Sequence, residues 1–119
     1  MSRDAPSIDG YGDGGFRLSG EWRKGSVLIL ADEAREWPVA AFADLTLDAL
    51  APVFAAGRAE VEFLLLGVGV RNAQPPRAIR EALLAAGLGL EFMDTPAAAK
   101  LYNVLTSEGR RIAVGLIAV

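Results

Sequence analysis

Two short motifs carry most of the chemistry open to this sequence. Gly67-Val68-Gly69 ends the apolar run VEFLLLGVGV, and Asp94-Thr95 stands between LGLEFM and a helix-forming stretch. Paired glycines at a strand end leave backbone amides bare. Bare amides and a helix N-terminus attract phosphate or carboxylate. Asp94-Thr95-Pro96 is a helix start, with Thr95 as the cap and Pro96 in the first turn. If the two preceding strands are parallel, both motifs stand at one sheet edge, where open α/β sheets bind ligands. Arg71, Asn72 and Gln74 would line that crevice. Asn103, a mediocre helix former placed in mid-helix, is a further contact candidate. The ligand-binding set read from the residues is therefore Gly67, Gly69, Arg71, Asp94, Thr95 and Asn103. Each has a plainer reading. The glycines suit a tight turn, and Asp94 and Thr95 suit a helix cap and its dipole. The full dinucleotide fingerprint is missing, because no third glycine opens the helix at the required spacing.

Much chemistry is excluded by composition. The chain has no Cys and no His, so thiolate and imidazole ligands, a cysteine nucleophile and a Ser-His-Asp triad are all out of reach. A metal site would have to be all oxygen, and a general base would be a carboxylate, a lysine or a tyrosine. Asp9, Asp13, Asp32, Glu33 and Glu36 match no calcium loop and read as solvated, so no metal site and no cofactor are expected. The net charge of −3 and the scattered arginines argue against a nucleic-acid partner. The first residues lack an apolar signal core, and no apolar stretch is long enough to span a bilayer. A cytoplasmic protein is expected, and abundant Ala, Gly and Arg suggest a GC-rich bacterial genome. Binding or assembly fits this inventory better than catalysis. The candidate protein-interface residues are Trp22, set in a charged turn, and the adjacent Arg110-Arg111 with Glu108.

The elements that must position these residues read as one α/β domain over residues 8–119, behind a loose tail at 1–7. A chain of 119 residues buries roughly two thirds of its unfolded surface and needs no disulfide or metal to hold it. Residues 8–20, IDGYGDGGFRLSG, read as a hairpin turning at 12–15. Residues 21–25 read as a second turn and SVLIL as a buried strand. Residues 31–43 read as irregular or extended, because Pro38 disfavours helix at Trp37. Thr46 caps a helix that contains Pro52 and ends at Gly57. VEFLLL, LGLEFM and RIAVGLIAV are strands. Between them lie a helix opened by Pro75-Pro76, with Ile79, Leu83 and Leu84 inward, and a helix over 97–107, with Leu101, Val104 and Leu105 inward. Alternating strands and helices predict a parallel or mixed sheet covered on both faces. The central strands should be SVLIL, VEFLLL and RIAVGLIAV, with the last one in mid-sheet.

IDGYGDGGFRLSG, GSVLIL, LLLGVG and EFMDTPAAAKLYNVLTSEGRRIAVGLIAV, in this order, resemble the respiratory complex I assembly factor 3 family and its bacterial and archaeal relatives of unknown function. The most specific blocks are Met93-Asp94-Thr95, Ala97-Ala98, Tyr102-Asn103-Val104-Leu105 and Glu108-Gly109-Arg110-Arg111. The resemblance covers residues 8–119. It implies a three-layer α/β domain with a mixed central sheet, helices on its faces and an added N-terminal β-hairpin. In the mitochondrial members it implies assistance in assembling NADH:ubiquinone oxidoreductase together with a partner assembly factor. Complex I subunits or another assembly factor are thus the expected partners. Pro96, Ala99 and Lys100 depart from the family pattern, where glycine, cysteine and arginine are frequent. The alternative function is a binder of small anions or carboxylates, or an enzyme, using the crevice of 67–71 and Asp94-Thr95.

Overall fold

The structure is a computed structural model that describes residues 5–119. Of the expected loose tail, residues 1–4 lie outside the described residues. Within them, the Pro6 carbonyl accepts a hydrogen bond from the Tyr102 hydroxyl at 2.8 Å, and the Ser7 carbonyl accepts one from Ser19 N–H at 2.9 Å.

The chain opens with a three-stranded antiparallel meander, β1 (Ile8–Gly12), β2 (Gly15–Leu18) and β3 (Glu21–Lys24). Its turns are the residue pairs Asp13-Gly14 and Ser19-Gly20, all four at positive φ. Left-handed backbone at both turn positions is the geometry that matches the twist of flanking strands. The expected second turn at 21–25 is instead the third strand. Ser19-Gly20 alone closes the hairpin, and the four polar or exposed residues of β3 hide the alternation that marks a strand.

β4 (Val27–Leu30) is wholly buried and pairs antiparallel with β5 (Glu33–Glu36) through a third such turn at Ala31-Asp32, with φ of 53° and 64°. The segment read as irregular or extended thus contains an edge strand. Its charges, EARE, guard an open edge against unwanted pairing. Two short 3-10 turns follow; the Thr46 hydroxyl accepts from Ala49 N–H at 3.2 Å, but the N-cap positions of the second turn and of the helix are Leu47 and Leu50, not Thr46 as expected. Pro52 restarts the helix by lying in the first turn of α1 (Ala51–Glu60), where a missing N–H costs nothing. Gly57, at φ 68° and ψ 178°, is non-helical: the first helical stretch of α1 ends there, and a short further turn continues to Glu60.

β6 (Phe63–Gly67), α2 (Arg77–Ala85), β7 (Gly89–Met93), α3 (Thr95–Ser107) and β8 (Ile112–Leu116) complete the chain. The five-stranded sheet runs β5-β4-β8-β6-β7, with β6 parallel to β7 and β8 and β4 antiparallel to its neighbours. The sheet is mixed, and β8 is central and fully buried. One face (Leu28, Leu30, Leu64, Leu66) packs against α1 and α2 through Val53, Ile79 and Leu83. The other (Ile29, Leu65, Val114, Leu116) packs against α3 and the meander through Ala98, Tyr102, Phe16 and Leu18. This alternation builds three layers, and each fully buried leucine contributes about 1.5–3 kcal/mol.

Two helix faces differ from expectation. Leu84 is 79% exposed and Val104 is 52% exposed. The inward face of α3 is Thr95, Ala98, Ala99, Tyr102 and Leu105. Small residues at 98 and 99 let the helix lie close to the sheet, and Tyr102 is the bulky anchor. Trp37 is buried, lies where any side chain at Gly115 would stand, and donates through Nε1 to the Ala49 carbonyl at 2.8 Å.

Candidate functional site

The sequence placed its ligand candidates at the ends of β6 and β7, and the structure brings four of them together there. The strands are parallel, with Gly67 opposite Met93. Thr95, fully buried, donates its hydroxyl to the Ile117 carbonyl at 2.8 Å and accepts from Gly69 N–H at 3.0 Å. Its own N–H donates to the Gly69 carbonyl at 2.8 Å. One threonine therefore ties three segments: the loop after β6, the start of α3 and the end of β8. The helix cap is Asp94, whose Oδ1 accepts from Ala97 N–H at 2.8 Å, and Thr95 is the first helical residue. A carboxylate at that position complements the helix dipole.

Gly67 has a packing reason. A Cβ there would lie 2.7 Å from Leu116 Cδ2 and 3.0 Å from Thr95 Cα, so the bare backbone lets α3 approach the sheet. Arg71, Asn72 and Gln74 lie exposed on the loop beyond, beside Val70 at 77% exposure. Asn103 lies elsewhere, on the flank of α3. Its amide pairs with both backbone groups of Ile8: Oδ1 accepts from the N–H at 2.9 Å and Nδ2 donates to the carbonyl at 2.8 Å. A side-chain amide thus acts as one rung of a β-ladder and fastens the meander to α3.

The interface candidates also separate. Trp22 is 48% exposed on the meander, and its ring lies over Gly15, where a Cβ would meet Cζ2 at 2.8 Å. Arg110 and Arg111 converge on Glu62, a residue not foreseen as their partner. Arg110 Nε donates to Glu62 Oε1 at 3.0 Å and Arg111 N–H donates to Oε2 at 2.9 Å. The Arg110 guanidinium also lies 5.7 Å from the Phe63 ring centroid. The Arg111 backbone hydrogen bond is the main influence holding the Glu62 carboxyl below its ordinary value; desolvation opposes it, and the Arg110 side chain adds a lesser lowering. The cluster clamps the starts of β6 and β8 together.

The roomiest concavities among those described were not foreseen from sequence. Two adjoining hollows of about 530 and 430 Å³ share Gly25, Ser26, Trp37 and Pro38. Lys24 and Glu36 stand on the smaller and Asp44 on the larger. Ser26 forms part of the floor, donating to the Val39 carbonyl at 2.6 Å and accepting from Ala118 N–H at 2.9 Å. Trp37-Pro38 was the available signal, but its partners at 25–26 and 118 meet it only through the tertiary fold. No group of three or more potential metal ligands is found among the described residues.

A family profile described as protein of unknown function (DUF498/DUF598) matches residues 8–117. An uncharacterised protein of Rhodobacter capsulatus is 42% identical over 111 residues, covering 92% of this chain and 82% of that protein. NADH dehydrogenase (ubiquinone) 1 alpha subcomplex assembly factor 3 of Danio rerio is 31% identical over 110 residues, covering 92% of this chain and 63% of that protein. Among solved structures, one described as an outer membrane protein from Bartonella henselae superposes with a TM-score of 0.90 at 30% identity, over 97% of this chain and 96% of that one.

Proposed function

The chain belongs to the DUF498/DUF598 family of proteins of unknown function, and on that footing we propose that it is a non-catalytic binding protein that helps assemble a membrane complex of the respiratory complex I type. The observation that carries this reading is the similarity to the Danio rerio assembly factor across 92% of the chain. This chain spans less than two thirds of that relative, so the reading concerns the shared domain. The absence of His and Cys supports it from the side of chemistry. So does the motif at 67–69 and 94–95, where the Gly69 amide and the Thr95 hydroxyl are spent inside the fold. The partner is a protein, either complex I subunits or another assembly factor. The docking side chains are Trp22, with Arg110 and Arg111 as the second patch. No helix among the described residues is long and apolar enough to cross a membrane, and we place the protein in the cytoplasm, acting on a membrane complex from outside the bilayer.

The test is a tagged pull-down from lysate and detergent-solubilised membranes of the source organism, read by mass spectrometry. Enrichment of complex I subunits or of an assembly partner, lowered by Trp22→Ala, supports the reading. Recovery of the bait alone counts against it.

A further inference from the structure

We propose that the free edge of β3 is a pairing surface for a second copy of this chain, giving a symmetric dimer in which two β3 strands lie antiparallel about Trp22. All four residues of β3 are exposed, and among the described residues the strand pairs on one side only, with β2. Leu18 and Glu21 are the register pair that closes the two-residue turn at Ser19-Gly20. In such a hairpin the closing pair is hydrogen-bonded both ways, and hydrogen-bonded pairs then alternate with open ones. Glu21 and Arg23 therefore aim their backbone groups at β2, while Trp22 and Lys24 aim theirs outward. The donation from Gly25 N–H to the Gly14 carbonyl at 2.7 Å continues the same alternation.

Antiparallel pairing of identical edges must match parity, because opposed residues share a face. Centring the pair on Trp22 meets this condition. Trp22 and the partner's Trp22 exchange their outward N–H and carbonyl groups. Glu21 then opposes the partner's Arg23, and Arg23 opposes the partner's Glu21. The strand is thus self-complementary: two opposite-charge pairs flank an aromatic pair, and each kind of cross-strand pair is favourable. Glu21 and Arg23 form no ion pair among the described residues. They border a groove of about 290 Å³ whose far side includes Glu33 and Ala34, which leaves room for the new charge pairs. On the opposite face Arg17 stands beside Trp22 across β2, so the two tryptophans would lie between two arginines.

The other charged edge is a poorer match. β5 also carries Glu and Arg two apart, Glu33 and Arg35, but centring it on Ala34 would set Glu36 against the partner's Asp32. Pairing β3 with the β5 of another copy would be head-to-tail and would propagate into open chains. A four-residue edge buries less than the roughly 1,200 Å² of a standard interface, so the dimer is weak and concentration-dependent.

This inference goes beyond the assembly reading and is tested on the purified chain alone, so either can fail without the other. Sedimentation equilibrium of the full chain is measured up to about millimolar concentration, where weak dimers populate. The expected result is a monomer–dimer equilibrium. Arg23→Glu, which sets like charges face to face, should weaken it by at least about tenfold. The double swap E21R/R23E, complementary again, should restore it, which separates lost pairing from lost folding. A chain that stays monomeric throughout, a dimer indifferent to R23E or not rescued by the swap, or open-ended oligomers would each overturn the proposal.

Discussion

Thr95 shows how a residue can be found by its sequence and still have its role set by contacts the sequence does not display. Its type and place before a helix marked it as a candidate. Its partners, Gly69 and Ile117, lie on other segments and close the crevice from within. Replacing it with valine keeps the volume but removes the partner of the part-buried Gly69 N–H and of the buried Ile117 carbonyl. Thr95→Val should cost about 1–3 kcal/mol, against a smaller loss for Thr95→Ser, which keeps the hydroxyl. Urea unfolding checks this, through a lower midpoint at unchanged slope. Asn103 was legible as an oddity in a helix but not as the fastener of Ile8, since that contact bridges opposite ends of the chain.

Glu62 belongs to the same scale and was not singled out at all, because nothing near it in sequence reveals that Arg110 and Arg111 fold back upon it. Its folded pKa lies below the ordinary 4.5. A carboxyl shifted down adds stability that is complete above the unfolded value and is lost as pH falls through the folded one. The melting-temperature gap between wild type and Glu62→Gln should therefore be widest near neutral pH and shrink below about pH 4.5. A gap independent of pH would mean that the charge contributes nothing.

Among the elements, strands with strong apolar runs were readable, and β8 was placed in mid-sheet from its composition alone. β3 and β5 were not, because edge and meander strands bury little and carry charge. The boundaries of α3 shifted because Asp94 and Thr95 are both good caps, and only geometry chooses between them. The Asp13-Gly14 turn was readable, but the Ser19-Gly20 turn was misplaced to 21–25 although glycine marks it. Ala31-Asp32 was missed, since alanine at φ 53° is a conformation its side chain resists. Ala31→Gly should relieve that resistance and raise stability by about 0.5–1 kcal/mol, net of the extra freedom glycine gains when unfolded. A thermal melt that falls instead would show that Ala31 makes contacts outweighing its strain.

For the molecule as a whole, element order predicted a covered, mixed sheet, and the observed layers match it. Function was less legible, because it rests on surfaces. The proposed docking residues, Trp22 and Arg110-Arg111, are joined by no local pattern, and the hollow beside Trp37 is assembled from four separate stretches of chain. The proposed role of this domain is to serve the assembly of a respiratory complex. Its most direct test is deletion of the gene in the source organism, with complex I quantified in membranes by native gel and by NADH:ubiquinone oxidoreductase activity. The expected outcome is a loss of assembled complex and an accumulation of subcomplexes, reversed by the wild-type gene and less well by the Trp22→Ala variant. Unchanged levels of fully assembled complex I in the deletion strain would contradict it.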